Sequence, residues 1–171
     1  MSSLRDEVTT GRRGVTPGAR SRPSWLVPVS LGLGVVGLLV SAYLTFEHYT
    51  ANATLACSVG GLIDCATVTT SPWSTFLGLP VALLGLAFFV VTLGLCLPRV
   101  WRRPERWLDA VRLGWLTIGL GMALYLVWAE LYRIHAICSW CTVVHVTTFA
   151  LWIVVLFGKI LSAPADEDPV D

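Results

Sequence analysis

Four long stretches of the chain carry no charged residue: 23–46, 65–98, 113–129 and 134–158. A helix needs roughly 20 apolar residues to cross a hydrocarbon core, so this pattern predicts membrane spans at about 25–45, 76–97, 111–131 and 139–160. The second uncharged stretch is longer than one span. Its first part, 66–75, is rich in hydroxyl side chains and contains Pro72, which assigns it to a loop and starts the span near Phe76. The expected fold is an all-α integral membrane four-helix bundle, with an extracytoplasmic loop between the first two helices.

Composition agrees: 55% of the 171 residues are hydrophobic and 13% are charged, and mean hydropathy is +0.71. One small membrane domain at 24–161 is expected, flanked by tails at 1–23 and 162–171 whose polar, Pro-containing sequences predict disorder. Ala51-Asn52-Ala53 resembles a signal-peptidase site, but the apolar run is too long and the site too far beyond it, so the first segment is expected to be retained. Eleven of the twelve basic residues flank one set of span ends, and only Arg133 falls on the other side. The positive-inside rule then puts both termini in the cytoplasm, as expected for a multi-pass protein of the inner, cytoplasmic membrane. Trp25, Trp73, Trp101, Trp107, Trp128, Tyr132 and Trp140 lie near span ends, as an aromatic belt does. The arginines are accounted for by topology, and no nucleic-acid patch, phosphate loop or repeat is present.

That topology places four of the five cysteines on the extracytoplasmic side, where disulfides persist. Cys57 and Cys65 lie in the first loop and enclose Gly60 and Gly61, which permit tight, mobile turns. Cys138-Ser139-Trp140-Cys141 opens the last span. A Cys-x-x-Cys at a helix start suits thiol–disulfide exchange, because the positive helix end favours the thiolate. The spacing predicts an exposed Cys138 that meets incoming thiols and a deeper Cys141 that faces the membrane. Zinc binding is the rival chemistry, but the separation of Cys57 from Cys65 is unlike a zinc knuckle, and no metal is expected. A scaffold with two fixed bridges is the non-catalytic alternative. Cys96 reads as a small buried hydrophobe. Glu130 and Arg133, three apart, read as an interfacial ion pair. His48, beside Glu47, and His135 read as interfacial residues without a role.

Cys57-x7-Cys65, Ser71-x-Trp73, Phe76-Leu-Gly-Leu-Pro80 and Cys138-Ser-Trp-Cys141, in this order, resemble the vitamin K epoxide reductase family over roughly residues 25–160. The likeness is to bacterial members that oxidise disulfide-forming partners at the expense of a quinone. The resemblance implies a periplasmic thioredoxin-like partner of the DsbA type that delivers electrons to Cys57. Cys65 would exchange with Cys138, and Cys141 would reduce a bilayer quinone of the menaquinone or ubiquinone type. It also implies a quinone site walled by Trp73, Phe76 and Leu79, with Ser71 positioning the loop. Animal members hold their ligand with an Asn and a Tyr. Here the only Asn is Asn52, in the loop, and His145 takes the Tyr position, which favours quinone over epoxide reduction and makes His145 a hydrogen-bond or proton donor. Vitamin K quinone or epoxide reduction on an external thiol donor is the alternative within the family. The unrelated four-helix quinone-linked oxidases carry the two cysteine pairs in the reverse order.

Overall fold

The computed structural model describes residues 23–50, 55, 57, 62–103 and 106–161. Both predicted tails, Gly60–Gly61 and Ala51–Ala53 lie outside the described residues, apart from Pro23. The elements in chain order are α1 (Leu26–Tyr49), α2 (Cys65–Thr70), a 3-10 turn (Pro72–Ser74), β1 (Thr75–Phe76), β2 (Leu79–Pro80), α3 (Val81–Leu95), α4 (Pro98–Trp101), α5 (Arg106–Ala129), a π-turn (Glu130–Ile134) and α6 (Ser139–Leu161). Among the described residues, three helical segments are long and apolar enough to cross a membrane: Leu26–Tyr49, Trp107–Ile134 and Ser139–Leu161. α3 is equally apolar but has only 15 residues.

The shortness of α3 corrects the expected start of the second span. Thr75 pairs with Pro80 and Phe76 with Leu79 in a two-stranded hairpin, whose tip residues Leu77 (φ 52°) and Gly78 (φ 80°) are both left-handed. Two consecutive positive φ angles are what a tight hairpin turn requires, and glycine meets that demand without a steric cost. The helix therefore starts only after Pro80, whose ring fixes φ at −58°.

α1 packs against α3 and α6, and α5 packs against α6, while the seam between α3 and α5 is lighter. Small residues let α1 and α3 approach closely. A Cβ on Gly37 would lie 2.1 Å from the Phe89 ring, and one on Gly34 would lie 2.7 Å from Leu93. Hydroxyls inside the helices donate back to the preceding turn, Thr45 to the Ser41 carbonyl (2.7 Å), Thr92 to Phe88 (2.8 Å) and Thr148 to Val144 (2.9 Å). This is how polar side chains are satisfied where lipid supplies no partner. Leu39, Ile118, Leu124 and Val146 are all exposed on the outside of the bundle, the pattern of a lipid-facing surface.

The bundle has two distinct ends. At one, Leu26, Trp101, Leu116 and Val155 form a core with Phe89. There Arg112, only 1% exposed, donates from Nε and Nη2 to the Leu95 carbonyl (3.1 and 2.9 Å) and from Nη1 to Asp109 (2.8 Å). Its guanidinium stacks 3.7 Å from the Trp101 ring centroid. A cation on the last carbonyl of α3 opposes the negative helix end and ties α3 to α5. Trp101 is consequently buried, not part of an aromatic belt. At the other end, Leu44, Cys65, Val68, Ala136 and Cys138 form a second core, and the cysteine chemistry lies there.

Candidate functional site

The loop cysteines are positioned by a short helix and a backbone bridge. Asp64 caps α2, accepting the Thr67 N–H at 3.0 Å and the Thr67 hydroxyl at 2.7 Å. These two hydrogen bonds hold its carboxyl below the usual carboxylate range. Cys65 is thereby the first residue of α2, and it forms a disulfide with Cys57 across a Cα–Cα distance of 6.0 Å. Ile63 and Ile137 form a parallel bridge in which Asp64 N–H donates to the Ile137 carbonyl (3.1 Å) and Ile137 N–H donates to the Leu62 carbonyl (2.9 Å). The loop is thus fastened to the residue immediately before Cys138, and all four cysteines fall in one cluster: Cys65 and Cys138 buried, Cys57 and Cys141 packed against them.

Cys138 stands just ahead of α6 and acts as its cap. Its carbonyl accepts the Thr142 N–H (2.9 Å), and its sulfur accepts the Cys141 N–H (3.3 Å), the donor three residues on that an N-cap side chain ordinarily serves. The hydrogen bond from the Cys141 thiol lowers the Cys138 pKa most. Burial opposes it, the Cys141 and Trp140 N–H groups assist it, and the negative charge of Glu130 counters it. The expected exposure order is reversed: Cys138 is fully buried and Cys141 is partly open. Cys138 packs among Leu44, Cys65, Val68 and Ala136, with the Ile63–Ile137 bridge immediately before it.

Cys141 opens onto a cavity of about 250 Å³ whose wall is overwhelmingly apolar. Ser71, Trp73 and His145 line it, as do Ser41 and Glu130. Phe76 and Leu79 do not, because the hairpin carries both to the exposed surface. Two buried polar atoms on the wall have no hydrogen-bond partner, Ser41 Oγ and His145 Nδ1. A buried unpaired donor or acceptor is costly, so these two atoms suit a ligand that brings its own polar atoms. Trp73 is held by a tilted contact with Tyr125 and an edge contact with Trp128, and the Arg133 guanidinium lies 5.2 Å from its ring centroid. Arg133 is therefore engaged with aromatic faces and does not pair with Glu130, which is 5% exposed and turned inward. His48, to which the sequence assigns no role, also lines the cavity.

The model of the vitamin K epoxide reductase family matches residues 28–156. The chain belongs to that family. Vitamin K epoxide reductase relatives are membrane oxidoreductases whose cysteines carry disulfide chemistry and whose electron partner is a quinone or vitamin K. The matched span contains α1 to α6 nearly entire, with all four clustered cysteines and the cavity. Besides His48, the cavity-lining Glu130 and Ser41 escaped the sequence pattern. Glu130 could have been found as an acidic residue ending an apolar helix eight positions before Cys138, whereas Ser41 carries no signal that separates it from other small helix residues.

Proposed function

We propose that the chain is a quinone-dependent thiol oxidase that regenerates a thioredoxin-like, DsbA-type disulfide donor. The observation that carries this reading is the joining of two cysteine couples in one buried cluster, with the inner couple opening on an apolar cavity. A thiolate of the reduced partner attacks Cys57, the more accessible sulfur of the loop disulfide, and leaves that couple as a dithiol once the partner is oxidised. Cys65 then attacks Cys138 of the oxidised inner couple with Cys141 as leaving group, and Cys57 resolves the Cys65–Cys138 mixed disulfide. The Cys138–Cys141 dithiol is left holding two electrons.

A quinone in the cavity supplies the two-electron sink, and the residues present fit one. The wall is apolar, the unpaired Ser41 and His145 atoms match a ligand with two carbonyl oxygens, and Trp73 offers a ring face. Ser71 completes that rim from the loop side. His145 stands one turn beyond Cys141, where a proton donor to the ring is useful.

α3 is the fourth crossing in this reading. Its 15 residues rise ~22 Å, and the apolar hairpin at one end with Cys96–Leu97 at the other extends it toward the ~30 Å core. The domain then runs from 24 to 161 in the inner membrane, with both termini cytoplasmic and the cysteine end outside. Thiol trapping tests the relay: Cys141→Ser accumulates the Cys65–Cys138 mixed disulfide, and Cys138→Ala abolishes oxidation of a reduced DsbA-type partner in the presence of menaquinone or ubiquinone. Full partner oxidation by Cys138→Ala refutes it.

A further inference from the structure

Forming one disulfide from two thiols breaks two S–H bonds, and reducing a quinone makes two O–H bonds. The sulfur cluster accounts for the electrons but gives the protons no path through an apolar wall. Glu130 occupies the gap. It is buried, lines the same cavity as Cys141 and His145, and sits where α5 gives way to the π-turn Glu130–Ile134. That turn is closed by Ala136 N–H donating to the Glu130 carbonyl (3.2 Å), and His135 follows in a left-handed conformation (φ 59°). The chain is thereby folded back so that Cys138 arrives beside the carboxylate: the Cys138 N–H is directed at it, and Cys141 lines the same cavity. π-turns inside helices recur at functional sites, and ionisable groups at membrane depth are retained for function.

We propose that Glu130 is the proton carrier between the Cys138–Cys141 couple and the cavity, a role that presupposes the quinone-linked oxidase reading above. Its carboxylate takes the proton from a thiol as that sulfur becomes a thiolate. It then releases the proton to an oxygen of the acceptor as the S–S bond closes and two electrons leave the sulfurs. Two such passages, or one through Glu130 and one through His145, move two protons with two electrons and return Glu130 to its starting state. The other titratable or charged groups around it are Cys138, Cys141 and His145 from α6 and its approach, His48 from α1, and Arg133 of its own turn, which is engaged with Trp73 and Trp128. Cys65 of α2 is held in the disulfide.

Glu130→Gln keeps the shape and removes the proton site, so two readouts move in opposite directions. Single-turnover oxidation of the reduced full-length protein by a short-chain menaquinone analogue slows by about 100-fold, the scale of a lost general base. Iodoacetamide capture of the Cys138–Cys141 thiols in quinone-free protein accelerates severalfold at fixed pH, because the charge that opposes the thiolate is gone. Glu130→Asp recovers a substantial part of the turnover. In wild-type protein the turnover rate rises with pH more steeply than in Glu130→Gln, where only the thiols still give up protons. Unchanged turnover in Glu130→Gln overturns the role, as does slowing of both readouts together, which marks a merely structural residue. Should Glu130→Gln fail to fold, a flat wild-type pH profile overturns it equally. Wild-type protein that reduces no quinone overturns the proposed function and this role with it, whereas an active wild type matched by Glu130→Gln overturns this role alone.

Discussion

Gly37→Ala tests whether the close approach of α1 and α3 supports both the bundle and the cavity. The added Cβ would lie 2.1, 2.3 and 2.6 Å from three carbons of the Phe89 ring. Carbon atoms settle at about 3.5–4.0 Å, so the ring must withdraw by about 1.4 Å or the helices must part. Phe89 is fully buried and lines the cavity, which leaves it no inexpensive escape. Overpacking of this kind costs about 1–3 kcal/mol, and three contacts below 3.0 Å put this site at the upper end. Replacing a helical glycine with alanine returns ~1 kcal/mol, for a net loss of roughly 2 kcal/mol. Gly32 on the same helix is the control, because a Cβ there meets nothing within 4 Å. Gly32→Ala is therefore neutral or stabilising by up to ~1 kcal/mol, and the two variants differ by roughly 3 kcal/mol, about 100-fold in the unfolding equilibrium. Thermal unfolding in detergent micelles reads the difference, and Phe89→Leu in the Gly37→Ala background recovers at least half of the loss. Equal unfolding temperatures for the two alanine variants, or no recovery on shortening Phe89, would refute the packing argument.

Two further outcomes follow from the site. Attack of Cys138 on the loop disulfide requires its thiolate, so the rate of mixed-disulfide formation in Cys141→Ser rises with pH through a titration below the ordinary thiol value. Cys141→Ala removes the hydrogen bond that lowers the Cys138 pKa most and shifts the same profile to higher pH, while Cys141→Ser keeps a hydroxyl donor and stays nearer the wild type. At the cavity wall, Ser41→Ala and His145→Phe each remove one polar contact to the acceptor, about 1 kcal/mol or a roughly fivefold rise in the quinone KM. His145→Phe also slows quinone reduction, and both variants leave exchange between the two cysteine couples intact in a quinone-free trapping assay. Loss of exchange in either would return that residue to packing.

Much of the architecture is legible because membrane insertion is a local criterion: an uncharged apolar run is a span wherever it occurs, and α1, α5 and α6 follow their runs closely. The hairpin at 75–80 is illegible for the same reason. It lies within an uncharged run, and its tip joins a left-handed Gly78 to a left-handed Leu77, a conformation that leucine does not announce. The cysteine motifs identify the chemistry, but the burial of Cys138 comes from Ile63 meeting Ile137, two isoleucines that look like any core residues and are far apart in the chain. Glu130 and Arg133 are a salt-bridge pattern only on a regular α-helix. The π-turn changes the residues per turn, so the carboxylate faces inward and the guanidinium lies over Trp73 and Trp128. Ser71, Trp73 and His145 line the cavity, while Phe76 and Leu79 leave it with the hairpin.

The burial of Cys138 beside the Ile63–Ile137 bridge also acts as insulation. In the relay proposed above, a small thiol in the surrounding fluid meets Cys57 before it meets Cys138, which has no exposed surface. The pace of that relay would then be set by how often the outer couple is recharged.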